Sequence, residues 1–205
     1  MARPREFDDN AALDAALQCF WTRGYEATSV RELAGRMGIT GASLYNAFGD
    51  KRTLYRRALD RYVESSFGDR VSRFEGHLPP RQAIGAFFSE IIDHSLRDPQ
   101  RKGCMLVNSA LELAPHDAEF QRVIADVLTQ IEAFFRRCVQ AGQSAGTITG
   151  AQPADDLARL LLGVHIGIRV LARARPEREL LEGLARPALA LLDSHKLQQQ
   201  GKLND

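Results

Sequence analysis

Residues 28–51 read TSVRELAGRMGITGASLYNAFGDK, and they place a cluster of compact polar side chains beside an apolar stripe. Val30, Leu33, Ala34, Met37, Ile39, Leu44 and Phe48 are spaced to bury against Leu13, Leu17, Phe20 and Trp21. That leaves Thr40, Gly41, Ser43, Tyr45 and Asn46 on the open side of a short helix. Hydroxyl and amide groups, with one aromatic ring ending in a hydroxyl, can reach phosphate oxygens and base edges in a major groove without adding much charge. Gly41 and Ala42 at the helix start allow close backbone approach, and the unpaired amides there suit a phosphate. Lys51 and Arg52 open the next helix, placed for phosphate contact. On pattern alone, an ordinary helical hairpin with a polar face fits these residues too.

The elements that must position this cluster are all helical. From Asn10 to Arg23, apolar residues at Ala12, Leu13, Ala16, Leu17, Phe20 and Trp21 follow the helical repeat, and Gly24 stops it. Thr28 stands as the expected N-cap of SVRELAGRM, which Gly38 ends; Thr40 is the expected N-cap of GASLYNAF. After Gly49-Asp50 a long helix is expected from about Lys51 to Phe74. Two short helices around a glycine-containing turn, with a helix before and one after, outline a helix-turn-helix unit.

Beyond Pro80 the expected helices lengthen. One carries Ile84, Phe87, Phe88, Ile91 and Ile92; one runs from about Cys104 to Leu113; one from Asp117 to Ala141. Pro153 starts a leucine-rich helix to about Ala174, and another runs to about Leu192 with a kink expected at Pro187. The end, HKLQQQGKLND, is expected to fray. No alternating strand pattern or internal repeat occurs, so the fold class is all-α. The expected organisation is a domain over residues 1–50 and a second over 51–205, joined by a long helix.

Charge sharpens the picture. The 205-residue chain, 44% hydrophobic, holds 27 Lys+Arg against 26 Asp+Glu, a net charge of +1. Length and composition suffice for a sizeable core without disulfides or metals. By segment, residues 8–30 carry −3, while residues 31–57 hold six basic and two acidic residues, giving +4. Arg3 and Arg5 either reach into an adjacent minor groove or form a tail drawn non-specifically to phosphates.

The stretch over about residues 8–55 resembles the DNA-binding domain of the TetR family of bacterial transcriptional regulators. The resemblance rests on Thr28, on Leu44-Tyr45-x-x-Phe48, on Lys51, and on Phe20-Trp21-x-x-Gly24-Tyr25 ahead of them. It implies a helix-turn-helix regulator, expected to be a ligand-responsive repressor that binds a pseudo-palindromic double-stranded DNA operator as a homodimer. The DNA-contacting set is then Thr28, Ser29, Arg31, Thr40, Gly41, Ser43, Tyr45, Asn46 and Lys51. Gly41 and Ala47 depart from the family pattern, where a basic and a histidine or aromatic residue are frequent. More of the phosphate contact therefore falls to Lys51, Thr28 and Tyr45.

The resemblance also assigns ligand binding and dimerisation to the C-terminal helices. Leu157, Leu160, Leu161, Val164, Ile168 and Leu171, with Leu180, Leu181, Leu184, Leu191 and Leu192, supply surplus apolar faces, and Gly163 and Gly167 admit a close-packed helix. Candidate pocket residues are Phe88, Ile91, Met105, Asn108, Phe134, His165 and Arg169, with Phe87, Leu111, Phe135 and His94 nearby in the pattern. The effector is unknown. No cofactor or metal is expected, since the five histidines lack ligand spacing.

Three other readings stay open on the sequence. Cys104 follows Arg101-Lys102-Gly103 at a helix start, surroundings that favour a reactive thiol, so a redox or electrophile sensor is one alternative; Cys19 and Cys138 read as core. Residues 142–146, GQSAG, match a hydrolase nucleophile pattern but lack the preceding strand it needs. A helical adaptor that never touches DNA is the third. The polar N-terminus carries no signal-like apolar run and the longest apolar stretch is too short to span a bilayer, so the expected setting is cytoplasmic, with no membrane partner.

Overall fold

The computed structural model describes residues 7–193, in which the elements are helices joined by turns, with no strand among the described residues. In chain order they are α1 (Asp9–Arg23), α2 (Val30–Met37), α3 (Gly41–Phe48), α4 (Lys51–Val63), a π-helical turn (Glu64–Gly68), α5 (Asp69–Phe74), α6 (Pro80–Arg97), α7 (Met105–Glu112), α8 (Ala118–Ser144), α9 (Ala154–Ala174) and α10 (Arg178–Ala190). The all-α class stands. Arg3, Arg5 and the HKLQQQGKLND end lie outside the described residues. No helix among those described is long and apolar enough to cross a membrane.

One helix expectation is refined and one corrected. The helix expected from about Lys51 to Phe74 is uninterrupted but not regular: α4 ends at Val63, and a π-helical turn leads directly into α5. Ser65, Ser66 and Gly68 are weak helix formers, and the Ser65 hydroxyl donates to the Tyr62 carbonyl oxygen at 3.2 Å, competing with the regular ladder. The N-cap of α2 is Ser29 rather than Thr28. The Ser29 hydroxyl accepts from the Glu32 N–H at 3.2 Å, whereas the Thr28 hydroxyl donates backward to the Gly24 carbonyl at 2.6 Å. Pro187, by contrast, lies inside α10 without ending it.

Among the described residues the chain divides into two compact units, residues 7–66 with 104–124, and residues 67–103 with 125–193. In the first, α1, α2, α3, α4 and α7 surround Phe20, Leu33, Leu44, Leu54, Tyr55 and Leu59, all nearly solvent-free. Each such side chain contributes about 1.5–3 kcal/mol by leaving water. Tyr55 is the hub, edge-on to Phe20 at 4.8 Å, to Tyr25 at 5.1 Å and to Phe120 at 5.5 Å. Its hydroxyl meets Ser109 Oγ of α7 at 2.7 Å, so the polar tip is satisfied in the core.

In the second unit α6, α9 and α10 pack together around Ile84, Phe87, Ile91, Phe134, Phe135, Leu161, Ile168 and Leu181. The GQSAG stretch explains itself here. Gly142 and Ser144 belong to the last turn of α8, and a Cβ on Gly142 would stand 2.5 Å from Ile148 Cδ1, a buried residue. The glycine admits Ile148; Ser144 ends a helix and is not the nucleophile of a strand-to-helix elbow.

Candidate nucleic-acid interface

The interface is built on α3 by its caps. Thr40 Oγ1 accepts from the Ser43 N–H at 3.1 Å and bonds the Ser43 hydroxyl at 2.9 Å, which starts the helix sharply. Leu44 and Phe48 anchor the inner face. On the outer face Thr40, Ala42, Tyr45 and Asn46 are exposed, Gly41 and Ser43 partly so. Tyr45 is 52% exposed, a large aromatic left half in solvent. A Cβ added to Gly41 would meet nothing within 4 Å, so no internal contact requires glycine there.

Basic groups flank this neutral face. Arg31 is exposed on α2 beside the cap residue Ser29. Lys51 lies with its Nζ 4.2 Å from the centre of the Tyr25 ring, which fixes the ammonium by a cation–π contact. Arg57 covers the Phe48 ring at 4.7 Å, closing the back of α3. Not all of the basic segment is available. Arg52, expected at phosphate, is held by Asp117 in a two-pronged pair at 3.0 Å for each nitrogen and by Glu119 at 2.8 Å. Arg56 pairs with Asp60 one turn on.

Thr28 must also be reassigned. It is 0% exposed, and its hydroxyl is committed to Gly24, so its side chain ties the α1–α2 turn and Ser29 presents the outward hydroxyl. The same turn reveals a residue that local pattern did not suggest. The Glu112 carboxylate accepts from the Tyr25 N–H at 3.1 Å and the Glu26 N–H at 2.9 Å. Gly24, at φ +84°, passes so close that a Cβ would sit 2.7 Å from Glu112 Oε2. Thus α7 clamps the backbone that leads into the helix-turn-helix. No periodicity flags Glu112, because its partners lie 86 and 87 residues away.

The Arg52–Asp117 pair makes a measurable prediction. Hydrogen bonds from Arg52, and then from the Phe120 and Glu119 N–H groups, lower the Asp117 carboxyl to about 2. A folded value below the unfolded one adds stability that is present above about pH 4 and lost as pH falls towards 2. Asp117→Asn is therefore expected to flatten the dependence of Tm on pH between about 4 and 2, measured by thermal melts in matched buffers.

The candidate pocket residues divide between the units. Phe88, Ile91, Phe134, His165 and Arg169 belong to the second and are buried. Met105 and Asn108 belong to the first, on α7, with Met105 buried and Asn108 partly so. Leu111 is 72% exposed and lines no core. Cys104 is the N-cap residue of α7 and is buried, so a reagent reaches its thiol only if its neighbours move. Burial pushes the Cys138 thiol up to about 12 and raises Cys19, in keeping with core roles. No cluster of metal-binding side chains occurs among the described residues.

Similarity to known proteins agrees with this geometry. Residues 12–58 match the family described as bacterial regulatory proteins, tetR family, and residues 80–187 match the tetracyclin repressor-like C-terminal domain. The chain is 32% identical over 195 residues to the uncharacterized HTH-type transcriptional regulator YezE of Bacillus subtilis, covering 94% of this chain and 100% of that one. It is 28% identical over 190 residues to the HTH-type transcriptional repressor ComR of Escherichia coli, covering 92% and 90%. Among solved structures it is similar to a cysteine mutant of the TetR family transcriptional regulator CifR complexed with 26-bp double-strand operator DNA. That likeness has a TM-score of 0.83 and 29% identity over 93% of this chain and 100% of the other. With both halves of the chain matched and an open polar face on a capped α3, this protein belongs to the TetR family and is a DNA-binding transcriptional regulator.

Proposed function

We propose that the protein is a homodimeric, effector-responsive repressor that reads a pseudo-palindromic operator with α3 from each subunit. The observation that carries this reading is the outer face of α3, where Tyr45 and Asn46 stand exposed with no internal partner to hold them. Its neutrality, flanked by Arg31 and Lys51, matches base-edge readout by α3 and phosphate contact at the margins. ComR is named a repressor and CifR was solved on operator DNA, which supports the same assignment here. Band shifts with DNA upstream of the protein's own gene test it: a complex that keeps its preference over competitor DNA as salt rises supports the reading, and one that loses it does not.

Dimerisation is part of the proposal because one eight-residue helix buries too little to bind tightly. The surface of α9 and the residue after α10 offer an interface. Leu160, Val170 and Leu191 are 41%, 45% and 55% exposed, and Cβ atoms on Gly163 and Gly167 would meet nothing within 4 Å. An apolar stripe that includes two small residues suits close approach of a second copy. Gly163→Leu should leave the subunit folded yet shift the protein from dimer to monomer in sedimentation velocity, with operator binding lost alongside. Retention of the dimer would remove α9 from the interface.

The effector would act by binding one dimer geometry better than another, so that the two recognition helices leave the half-site spacing. A true inducer weakens operator binding without dissociating the dimer.

A further inference from the structure

One helical turn apart on α9, His165 and Arg169 are both buried, at 4% and 8% exposure. Their i, i+4 spacing puts them on one face. His165 Nδ1 and Arg169 Nε are both enclosed and have no hydrogen-bond partner. An N–H enclosed without an acceptor is a costly arrangement in a protein interior, more so when it belongs to a charged group.

Two carboxylates of the same unit are committed elsewhere. Glu90 on α6 lies 2.9 Å from Arg70 Nε and 2.8 Å from Arg73 Nη2, and stands 3.9 Å from His94 Nε2. Asp69 pairs with Arg73 at 2.8 Å. Glu90 and Asp69 are thus paired with Arg70 and Arg73, and neither acid pairs with Arg169. Burial first, then the Arg169 and Arg70 charges, hold His165 well below its usual range, so the imidazole is neutral and can donate one N–H.

The wall beside this pair is aromatic. The Phe87 ring centre is 5.4 Å from that of His165, and Phe87 in turn meets Phe134 at 5.4 Å and Phe67 at 6.4 Å. A single planar fork and one neutral donor at the end of an apolar wall match a monoanionic, planar head on a hydrophobic body. A phosphate dianion would call for more donors than this pair supplies.

We infer that this site takes an organic carboxylate with an apolar body, its carboxylate held by Arg169 and His165 and its body against Phe87, Phe67 and Phe134. The inference rests on the effector-responsive reading above and names the chemical class of ligand. Bound in this way, the acid would supply the acceptor that Arg169 Nε lacks.

The test uses the full-length protein with octanoate and 3-phenylpropionate, each against its own neutral amide, and with octyl phosphate. Calorimetry should give the acids at least about tenfold tighter binding than the amides, each tenfold being 1.4 kcal/mol. Arg169→Gln should bring the acids down to the amide level, and Arg169→Lys, which keeps the charge but loses the fork, should fall between. Arg169→Met should raise the Tm of the unliganded protein, because it removes an enclosed N–H that has no acceptor; a purely structural arginine would lower it. Amides that bind as well as acids, a preference that survives Arg169→Gln, no binding by either acid, or tighter binding of octyl phosphate would each overturn the inference. Operator release is read separately. Arg169-dependent binding that leaves the operator complex intact supports the site and refutes effector-triggered release, whereas release by the amides alone supports release and refutes the carboxylate.

Discussion

Tyr45→Ala should weaken operator binding by about 10²-fold or more while leaving the thermal midpoint of the free protein almost unchanged. The side chain is half exposed, so its loss costs the fold little. At the operator, a contact to a base edge or its backbone contributes about 1–3 kcal/mol, and 1.4 kcal/mol is a factor of ten. Two recognition helices per dimer double the free-energy loss and square the fold-change. Fluorescence anisotropy with labelled operator, paired with a melt of the same preparation, checks both halves. An affinity within about threefold of wild type would take Tyr45 out of the interface, and Asn46→Ala would then be the next position on the same face.

Glu112→Ala should produce the second large effect, with a different signature. The carboxylate accepts two backbone N–H groups of the α1–α2 turn, and a hydrogen bond to a charged group contributes about 1.5–3 kcal/mol. Partial exposure of this turn reduces the total, so a loss of about 2 kcal/mol in stability is expected. Operator affinity should fall as well, because Ser29 and Arg31 follow directly from the loosened turn. Glu112→Gln retains one acceptor oxygen and should recover part of both losses. Urea denaturation gives the stability change and anisotropy the affinity change. A Glu112→Ala protein of unchanged stability would mean that the clamp adds nothing.

Tyr45 and Glu112 differ in how readable they were. Tyr45 follows from local rules: Thr40 caps, Leu44 and Phe48 face inward, and the residue after Leu44 must face outward on a 3.6-residue repeat. Glu112 follows from nothing local. Arg52 makes the same point in reverse. Its place beside Lys51 suggested phosphate, yet Asp117, 65 residues on, takes its guanidinium. Thr28 and Ser29 are neighbours of similar chemistry, and only the Gly24 carbonyl decides which hydroxyl turns inward. The π turn after Val63 was half legible, since Ser65, Ser66 and Gly68 weaken a regular helix without dictating where its ladder changes.

The sequence by itself therefore determined the all-α class, the capped short helices and the outward face of α3. Each depends on interactions within about four residues, where side-chain type and period suffice. Tertiary structure decided that Arg52 is tied up in ion pairs, that α7 clamps the α1–α2 turn, and that Arg169 is buried without an acid partner. Those outcomes depend on pairs between distant segments, and a charge that reads as solvated in the chain is committed or stranded only once the helices pack.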